Sequence, residues 1–357
     1  MLTKPDILDI MYGRKRAPFI SAFLLVTAFV YGMLVRLRRS LFKAGLLRKN
    51  ALPITVISVG NLTLGGTGKT PTVLNVAALL RTRGRRPVVI SRGYGRKDES
   101  RIETVSDGSG VLVDAATGGD EPVLIGAKLT GVPVVAGKDR FQAGLFALER
   151  FNPDTIILDD GFQHLRLQRN IDIVLVDAAD PFGNGKLFPA GILREPLTSL
   201  QRADIVLITR SEQAADLESL TATLRQFTRA RIFTSRHVPV DLIDSGSGDV
   251  MPLSALRNTD AFVFSGIARP ASFTALMRSL GAQIKAEAVF PDHYEYTRFD
   301  LASIFQQAAD KRISMIVTTE KDAIRLRSMK SDGIWALRIE LQVCEHEEWE
   351  TAILEDL

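Results

Sequence analysis

A glycine-rich loop near the start of the chain carries the residue types that bind nucleotide phosphates. The segment TLGGTGKT, residues 63–70, follows an apolar run and precedes a helical stretch. Its glycines let backbone N–H groups turn toward phosphate oxygens, Lys69 reaches the outer phosphates, and Thr70 offers a hydroxyl to Mg²⁺. The alternative is a glycine-rich turn with a chance lysine, which the order of strand, loop and helix disfavours. The expected nucleotide-binding residues are Thr63, Leu64, Gly65, Gly66, Thr67, Gly68, Lys69 and Thr70.

Two adjacent acidic residues supply candidate magnesium ligands. The apolar run TIIL at 155–158 ends in Asp159 and Asp160, the arrangement that holds Mg²⁺ beside a phosphate loop. Aspartates at strand ends are also common at protein surfaces, so the pair gains its significance from the loop. The sequence leaves open which of the two binds the metal directly.

Other classes of site fit the sequence poorly. One cysteine and four histidines exclude a disulfide scaffold and make a Cys- or His-rich metal site unexpected. In TTEKD, 318–322, Lys321 and Asp322 are adjacent and no Asn precedes the lysine, so the guanine-specifying pattern of GTPases is missing. A switch or metallochaperone-type NTPase is therefore the second hypothesis, and a non-enzymatic membrane adaptor with a relic loop is the third.

The elements that must position these residues alternate between strand and helix. Short runs rich in Val and Ile recur from residue 52 to 341, and continuous apolar runs are typical of a parallel sheet covered on both faces. A helix is predicted from Lys69 to about Arg83. The stretch 237–259 is rich in Gly, Ser, Asp and Pro, which predicts a loop and a domain boundary. We expect an α/β protein with a P-loop NTPase-like, mostly parallel sheet flanked by helices, and a smaller C-terminal α/β part. The expected domains are 1–50, 51–240 and 241–357, the last contributing to the active-site cleft.

The first 50 residues predict a membrane-associated helix. Residues 17–35 form an uncharged run whose helical length, roughly 28 Å, is close to the thickness of a bilayer core. Basic residues flank it on both sides, which suits anionic headgroups at the cytoplasmic surface. Residues 1–50 carry ten Lys or Arg and two Asp, a net +8, whereas the whole chain carries +4. The remainder is therefore acidic at −4, which argues against nucleic-acid binding. A buried core helix is the alternative, and the pattern does not decide whether the helix spans the bilayer or lies in its surface.

Several short motifs together resemble one known family. They lie at 60–71, 91–96, 119–122, 159–164, 182–185, 187–196, 290–294 and 318–323, and read GNLTLGGTGKTP, SRGYGR, GDEP, DDGFQH, FGNG, LFPAGILREP, FPDHY and TTEKDA. In this order they resemble the tetraacyldisaccharide 4′-kinase family, the lipid A 4′-kinases of Gram-negative bacteria, which also carry an N-terminal membrane anchor. Thr63 replaces the first glycine of the general loop pattern, and the family usually has Thr or Ser there. The resemblance covers about 55–325.

The resemblance implies an activity and its location. The γ-phosphate of ATP would be transferred, with Mg²⁺, to the 4′-hydroxyl of a tetraacylated glucosamine disaccharide 1-phosphate, giving lipid IVA in lipid A biosynthesis. A lipid substrate agrees with the basic-flanked apolar segment, which was found independently. The implied setting is the cytoplasmic face of the bacterial inner membrane, among anionic lipids; no protein partner is implied.

The resemblance also implies roles for single residues. It favours Asp120 as the base that accepts the hydroxyl proton, with His293 as its partner, whereas an N-cap of the following helix is the alternative for Asp120. Arg194 is the strongest candidate for the transferring phosphate, and Glu195 could assist the metal. The phosphates of ATP and of the lipid call for forked guanidinium donors. The candidate substrate-binding residues are Arg92, Arg140 and Glu121, while His164 is expected to be structural.

Overall fold

The computed structural model describes residues 11, 17–267, 269–292, 294–326, 329 and 331–355. The helices are α1 (Pro18–Lys43), α2 (Lys69–Thr82), α3 (Ala115–Gly118), α4 (Asp120–Lys128), α5 (Arg140–Phe151), α6 (Leu217–Arg225), α7 (Pro270–Ser279), α8 (Arg298–Asp310), α9 (Glu320–Leu326) and α10 (His346–Leu354). The strands are β1 (Thr55–Asn61), β2 (Pro87–Ser91), β3 (Glu103–Ser106), β4 (Val134–Ala136), β5 (Thr155–Asp159), β6 (Ile171–Asp177), β7 (Ile205–Thr209), β8 (Arg231–Asp244), β9 (Val250–Pro252), β10 (Asp260–Ser265), β11 (Gln283–Val289), β12 (Met315–Thr319) and β13 (Ile334–Val343).

The chain divides into two compact units. The first contains residues 1–92, 137–236 and 342–357, and the second contains residues 93–136 and 237–341. The insertion 93–136 groups with residues 237–341, and the chain end 342–357 groups with the first unit. The three consecutive domains predicted from the sequence stay a prediction.

A parallel sheet forms the centre of the first unit. Its strands lie in the order β2–β5–β1–β6–β7–β8, and each neighbouring pair is parallel. Every residue of β2, β5, β6 and β7 is buried, as expected of strands covered on both faces. Because the strands are parallel, the carboxyl ends of β1, β5, β6 and β7 meet at one edge, where α/β proteins place their ligand sites.

The second unit has its own sheet and core. Strands β11, β10, β12 and β13 lie side by side and are parallel, whereas β3 and β4, which are separated in sequence by α3 and α4, pair antiparallel. Phe262 and Phe264 lie at the centre of a core that the helix α8 covers through Leu301 and Ile304. The mostly parallel α/β fold predicted from the sequence is therefore confirmed.

The loop predicted at 237–259 is wrong in part. Strand β8 continues through Asp244, and Asp241 to Ile243 pair antiparallel with β9. Pro239 and the polar residues around it conceal this strand in the sequence, since Pro and Asp are depleted in strand interiors. Strand β12 ends at Thr319 and helix α9 begins at Glu320, so the motif TTEKDA spans a strand end and a helix start.

Candidate active site

The phosphate loop joins the carboxyl end of β1 to the first turn of α2. Gly65 and Gly68 have φ angles of 101° and 91°, and Gly68 is the N-cap of α2. These left-handed conformations strain any residue with a Cβ atom, which explains glycine at both positions. The N–H groups of a helix's first turn lack partners within the helix, and the helix dipole is positive there. The loop therefore has the backbone geometry of an anion site.

Residues from two other segments hold the loop in place. Leu64 donates its backbone N–H to the carbonyl of Ile192 at 2.8 Å, and Arg194 donates to the carbonyl of Leu62 at 2.7 Å. On the side of β7, the hydroxyl of Thr209 donates to the carbonyl of Thr67 at 2.8 Å. Each bond uses a main-chain group on the loop side, so the loop keeps its shape without using side chains that face the ligand.

Asp177 and Arg210 form a largely buried ion pair that also supports the glycine-rich loop. Arg210 donates from Nε to Asp177 at 2.8 Å and from Nη2 to the carbonyl of Gly66 at 2.9 Å. Asp177 ends β6 and is almost fully buried, so its charge is balanced by the guanidinium. Sequence reasoning missed this pair, although both residues directly end apolar strands.

A cluster of alternating charge lies next to the loop. Arg194 donates from Nη1 to both carboxylate oxygens of Asp160, at 2.8 and 3.1 Å, and Nζ of Lys69 lies 4.0 Å from Oδ1 of the same aspartate. Asn61 accepts from the same Arg194 nitrogen at 3.3 Å. The sequence brings Lys69, Asp160 and Arg194 from three separate motifs, and the fold places them together.

Asp160 stays ionised because of its neighbours. Burial raises the pKa of Asp160, but the charges of Lys69 and Arg194 together outweigh burial, so the pKa lies below its ordinary value. The residue has a φ of 53°, a left-handed conformation that Asp tolerates better than most residues. This conformation turns the chain directly after β5, so that Asp160 and Asp159 meet different neighbours.

Asp159 is almost fully buried at the end of β5. It accepts a hydrogen bond from the hydroxyl of Ser91 at 2.8 Å. Ser91 begins the motif SRGYGR and ends β2, which pairs with β5. The parallel register therefore explains how two distant motifs reach one another.

The oxygen groups beside the loop suit a magnesium ion. Thr70 is buried in the first turn of α2, and with Asp159 and Asp160 it forms a set of hard oxygen donors. Among the described residues, no group of three or more His, Cys, Asp and Glu side chains is placed to hold a metal by itself. Mg²⁺ is usually held by one or two carboxylates together with substrate phosphates and water, so the donor set fits it.

Two of the expected site residues have other partners in the first unit. Both carboxylate oxygens of Glu195 accept from Arg202, at 2.9 and 3.1 Å, so a metal there would have to compete with an ion pair. Arg140 is buried and donates to the carbonyls of Gly137, at 3.1 Å, and Asp159, at 3.3 Å. These contacts favour a structural role for both residues. Arg92 is exposed and is the last residue of the segment 1–92 of the first unit.

His164 is half-buried, four residues after Asp160. Burial, with the nearby charge of Arg140, lowers the pKa of His164 to about 4. The imidazole is therefore neutral at physiological pH. Its structural role stays a prediction.

In the second unit, Asp120 is the first residue of α4. The N-cap is Gly119, with a φ of 90°, so the alternative reading of Asp120 as the N-cap is wrong. Glycine takes that position because of its left-handed backbone, which leaves the carboxylate of Asp120 available for a tertiary contact. Its Oδ2 accepts from Nε of Arg325 at 2.8 Å.

A buried network fixes Arg325 in turn. Arg325 donates from Nη1 to Asp322 at 2.9 Å and to the carbonyl of Gly266 at 3.0 Å. Asp322 is fully buried and also accepts from the hydroxyl of Tyr296 at 3.0 Å. Burial and Asp322 raise the pKa of Tyr296, so the hydroxyl remains a donor. The motif TTEKDA thus carries a structural network, which its sequence alone did not indicate.

Two more ion pairs join α4 to α9. Lys321 lies 2.6 Å from Glu121, and Lys128 lies 2.7 Å from Glu320. The pairing of Glu121 with a lysine gives this expected substrate-binding residue a contact inside its own unit. His293, the expected partner of Asp120, lies outside the described residues.

Helix α1 is the one described helix long and apolar enough to cross a membrane. Its buried residues are Ala28, Gly32 and Phe42, which face the first unit. The large apolar residues on the rest of its surface are exposed; they are Phe19, Phe23, Leu25, Val26, Phe29, Val30, Met33, Leu34 and Leu37. An exposed apolar surface of this size marks a site of interaction with lipid or protein.

A protein family and several relatives of known description match this sequence. The sequence pattern of the tetraacyldisaccharide-1-P 4'-kinase family matches residues 20–357. A tetraacyldisaccharide 4'-kinase of Syntrophus aciditrophicus is 43% identical over 96% of this chain and 94% of its own length. One of Geobacter metallireducens is 41% identical over 94% of this chain and 97% of its own length.

A solved structure has a similar fold. LpxK of Aquifex aeolicus, crystallised in complex with ATP, matches with a TM-score of 0.80 and 33% sequence identity. The match covers 94% of this chain and 99% of that one.

Proposed function

The chain belongs to the tetraacyldisaccharide-1-P 4'-kinase family, and from this premise we propose that it phosphorylates the 4′-hydroxyl of a tetraacylated glucosamine disaccharide 1-phosphate at the expense of ATP. The product is lipid IVA, an intermediate of lipid A biosynthesis. The observation that carries the proposal is the Lys69–Asp160–Arg194 cluster at the phosphate loop. It supplies two cations beside a loop built for phosphate.

Binding of the nucleotide falls to the loop. The backbone N–H groups around Gly65 to Gly68 would hold the β-phosphate, and Lys69 would contact the β- and γ-phosphates. Little covalent chemistry is needed from the protein in phosphoryl transfer, so fixed positive charge is the main contribution. Lys69 and Arg194 already share one carboxylate, which fixes both cations before ATP binds.

Arg194 is proposed to stabilise the transferring phosphoryl group. Only one of its guanidinium nitrogens, Nη1, bonds to Asp160 and Asn61. A guanidinium fork suits the charge spread over three equatorial oxygens in the transition state. In this position it would act as the arginine that other phosphoryl-transfer enzymes use for the same purpose.

Thr70 and one of Asp159 and Asp160 are the proposed magnesium ligands. The bound ion would neutralise charge on the β- and γ-phosphates. Asp160 would also separate Lys69 from Arg194, whose like charges would otherwise repel. Glu195 is left out of this set because Arg202 takes both its oxygens.

Asp120 is the proposed base for the 4′-hydroxyl, with His293 as its partner. The contact with Arg325 holds one carboxylate oxygen, Oδ2, at 2.8 Å, and would fix the direction in which the carboxylate faces. A base must lie within hydrogen-bonding reach of its proton, so orientation matters as much as basicity. Arg92 is proposed to contact the substrate's 1-phosphate.

Helix α1 is proposed to lie in the surface of the membrane. Tyr31, Arg38 and Arg39 each donate a hydrogen bond to the body of the first unit. Those polar contacts belong to a water-soluble surface, so the second half of the helix would not sit in the hydrocarbon core. The exposed apolar side would enter one leaflet, and the basic residues would meet anionic lipids. The proposed location is the cytoplasmic face of the inner membrane.

Incubation with γ-labelled ATP tests the activity. The full chain is mixed with the tetraacylated disaccharide 1-phosphate in detergent micelles, and label in lipid and in inorganic phosphate is separated. We expect label in the lipid, dependent on the disaccharide. Release of inorganic phosphate without labelled lipid would instead support the switch-type NTPase and overturn the proposal.

A further inference from the structure

The membrane helix makes a direct contact with the main chain of the proposed phosphate-transfer residue. The hydroxyl of Tyr31, in α1, donates to the backbone carbonyl of Arg194 at 2.8 Å. The Tyr31 ring also packs edge-on against Phe188, with 5.9 Å between ring centroids. Tyr31 and Arg194 are 163 positions apart in sequence, so only the tertiary fold brings them together.

Neighbouring residues hold α1 against the same segment. Leu187 packs so closely on Gly32 that a Cβ atom there would lie 2.7 Å from its Cδ1. Arg39 donates to the hydroxyl of Ser199 at 2.8 Å. Helix α1 therefore contacts residues on both sides of Arg194 in the sequence. It packs along the segment 187–199.

The backbone of Arg194 is fixed from two directions. Its N–H donates to the carbonyl of Leu62, just before the phosphate loop, and its carbonyl accepts from Tyr31. The phosphate loop thus holds one side of the residue and the membrane helix holds the other. Because both main-chain groups of Arg194 are hydrogen-bonded, its backbone is held in place. The side chain extends from this fixed backbone to Asp160.

We propose that Tyr31 is a positioning residue that couples the membrane-bound helix to Arg194. This inference rests on the role proposed for Arg194 in phosphoryl transfer. The face of α1 that carries Tyr31 contacts protein, while Phe19, Phe23 and Phe29 are exposed. A movement of α1 relative to the rest of the first unit would move the carbonyl of Arg194. Phosphoryl transfer would therefore be fastest when α1 is packed against the segment 187–199.

The test compares two hydroxyl deletions on one helix. Tyr31→Phe keeps the ring against Phe188 and removes only the bond to Arg194. Thr27→Val is the matched control, one turn earlier, because its hydroxyl donates within the helix to the carbonyls of Phe23 and Leu24. Both full-length variants are assayed on micellar substrate, with binding to vesicles of anionic lipid measured in parallel.

Tyr31→Phe should lower kcat by about three- to tenfold, the effect of losing one hydrogen bond. The KM for ATP and the vesicle binding should remain those of the wild type, and Thr27→Val should match the wild type in all three. In an Arg194→Ala background, Tyr31→Phe should have no further effect, since the two residues act as one unit.

The outcomes separate this inference from the proposed function. Wild-type kcat in Tyr31→Phe, with kcat of Arg194→Ala strongly reduced, would overturn the coupling and leave the kinase assignment intact. An equal loss from Tyr31→Phe in the Arg194→Ala background would show a general structural effect and would also overturn it. Full activity of Arg194→Ala would remove the proposed role of Arg194, and the inference with it.

Discussion

The guanidinium of Arg194 and the carboxylate of Asp160 form an ion pair beside the phosphate loop, with 2.8 Å between Nη1 and Oδ1. Nζ of Lys69 lies 4.0 Å from the same carboxylate oxygen. The carboxylate of Asp160 thus pairs with two cations. Lys69 lies at the start of α2, and Arg194 lies in a distant loop. The pair organises the site before any ligand binds.

Asp160→Asn should change the acid dependence of stability. Because the pKa of Asp160 is lowered in the folded state, the ionised form stabilises the protein above the ordinary aspartate pKa of about 3.9, and this stabilisation is lost as the pH falls through the folded value. The wild type should melt at a higher temperature than the variant at pH 7. The difference in Tm should disappear in the acid range; a constant difference at all pH values would contradict the pairing.

Lys69→Ala should abolish most turnover and leave the fold intact. The lysine is proposed to contact the β- and γ-phosphates, so its loss removes charge stabilisation from the transition state. We expect kcat/KM to fall by about 10²-fold or more, with little change in Tm. Lys138→Ala, which alters an exposed lysine of the same unit, is the control and should retain activity. A folded, active Lys69→Ala protein would refute the assignment of the loop.

Asp120→Asn should lower kcat by about 10²–10⁴-fold, the usual contribution of a general base. The amide can still accept from Arg325 but cannot take a proton, and Gly119 remains the N-cap. The KM for ATP should change little. Asp114→Asn is the matched control, because Asp114 caps α3 through Thr117 and asparagine caps equally well.

The proposed role of Asp120 as the base can also be tested through its proposed partner, His293. If Asp120 and His293 act as one unit, the double alanine variant should be little worse than the more damaged single variant. An active Asp120→Asn enzyme would assign Asp120 to architecture, with its contact to Arg325 as its main role.

Membrane binding should depend on the exposed side of α1. Phe23→Ser and Phe29→Ser change side chains that are 68% and 65% exposed. The packing of α1 against the rest of the first unit should therefore be unchanged. Binding to vesicles containing anionic lipid should weaken, and its dependence on salt should remain, because the basic residues are unchanged. Equal vesicle binding by the double variant and the wild type would show that another surface carries the interaction.

The loop and the strands around it could be predicted from local sequence. Gly-Lys-Thr after an apolar run fixed the start of α2 at Lys69, where the structure has it. Buried strands such as β5 and β6 are uniform apolar runs, and such runs have a strong signal. β8 had no such signal, since its exposed and buried residues alternate around Pro239.

The partners of the charged residues could not be predicted in the same way. The sequence predicts both Glu195 and Asp160 as metal ligands. In the structure, Arg202 binds Glu195 from seven residues away in sequence, and Arg194 binds Asp160 from 34 residues away. Such pairs depend on where the fold brings two segments together, which no local pattern encodes. The network of Arg325 and Asp322 was hidden for the same reason, although it lies in a motif that was recognised.

The position of the new phosphate on the lipid tests the proposed 4′-kinase activity. The full chain is given ATP and the tetraacylated disaccharide 1-phosphate, and the lipid product is examined by mass spectrometry and phosphorus NMR, with a 4′-O-methyl analogue as control. We expect one added phosphate on the 4′-oxygen and no product from the blocked analogue. A phosphate elsewhere on the lipid, or equal phosphorylation of the blocked analogue, would contradict the proposed activity.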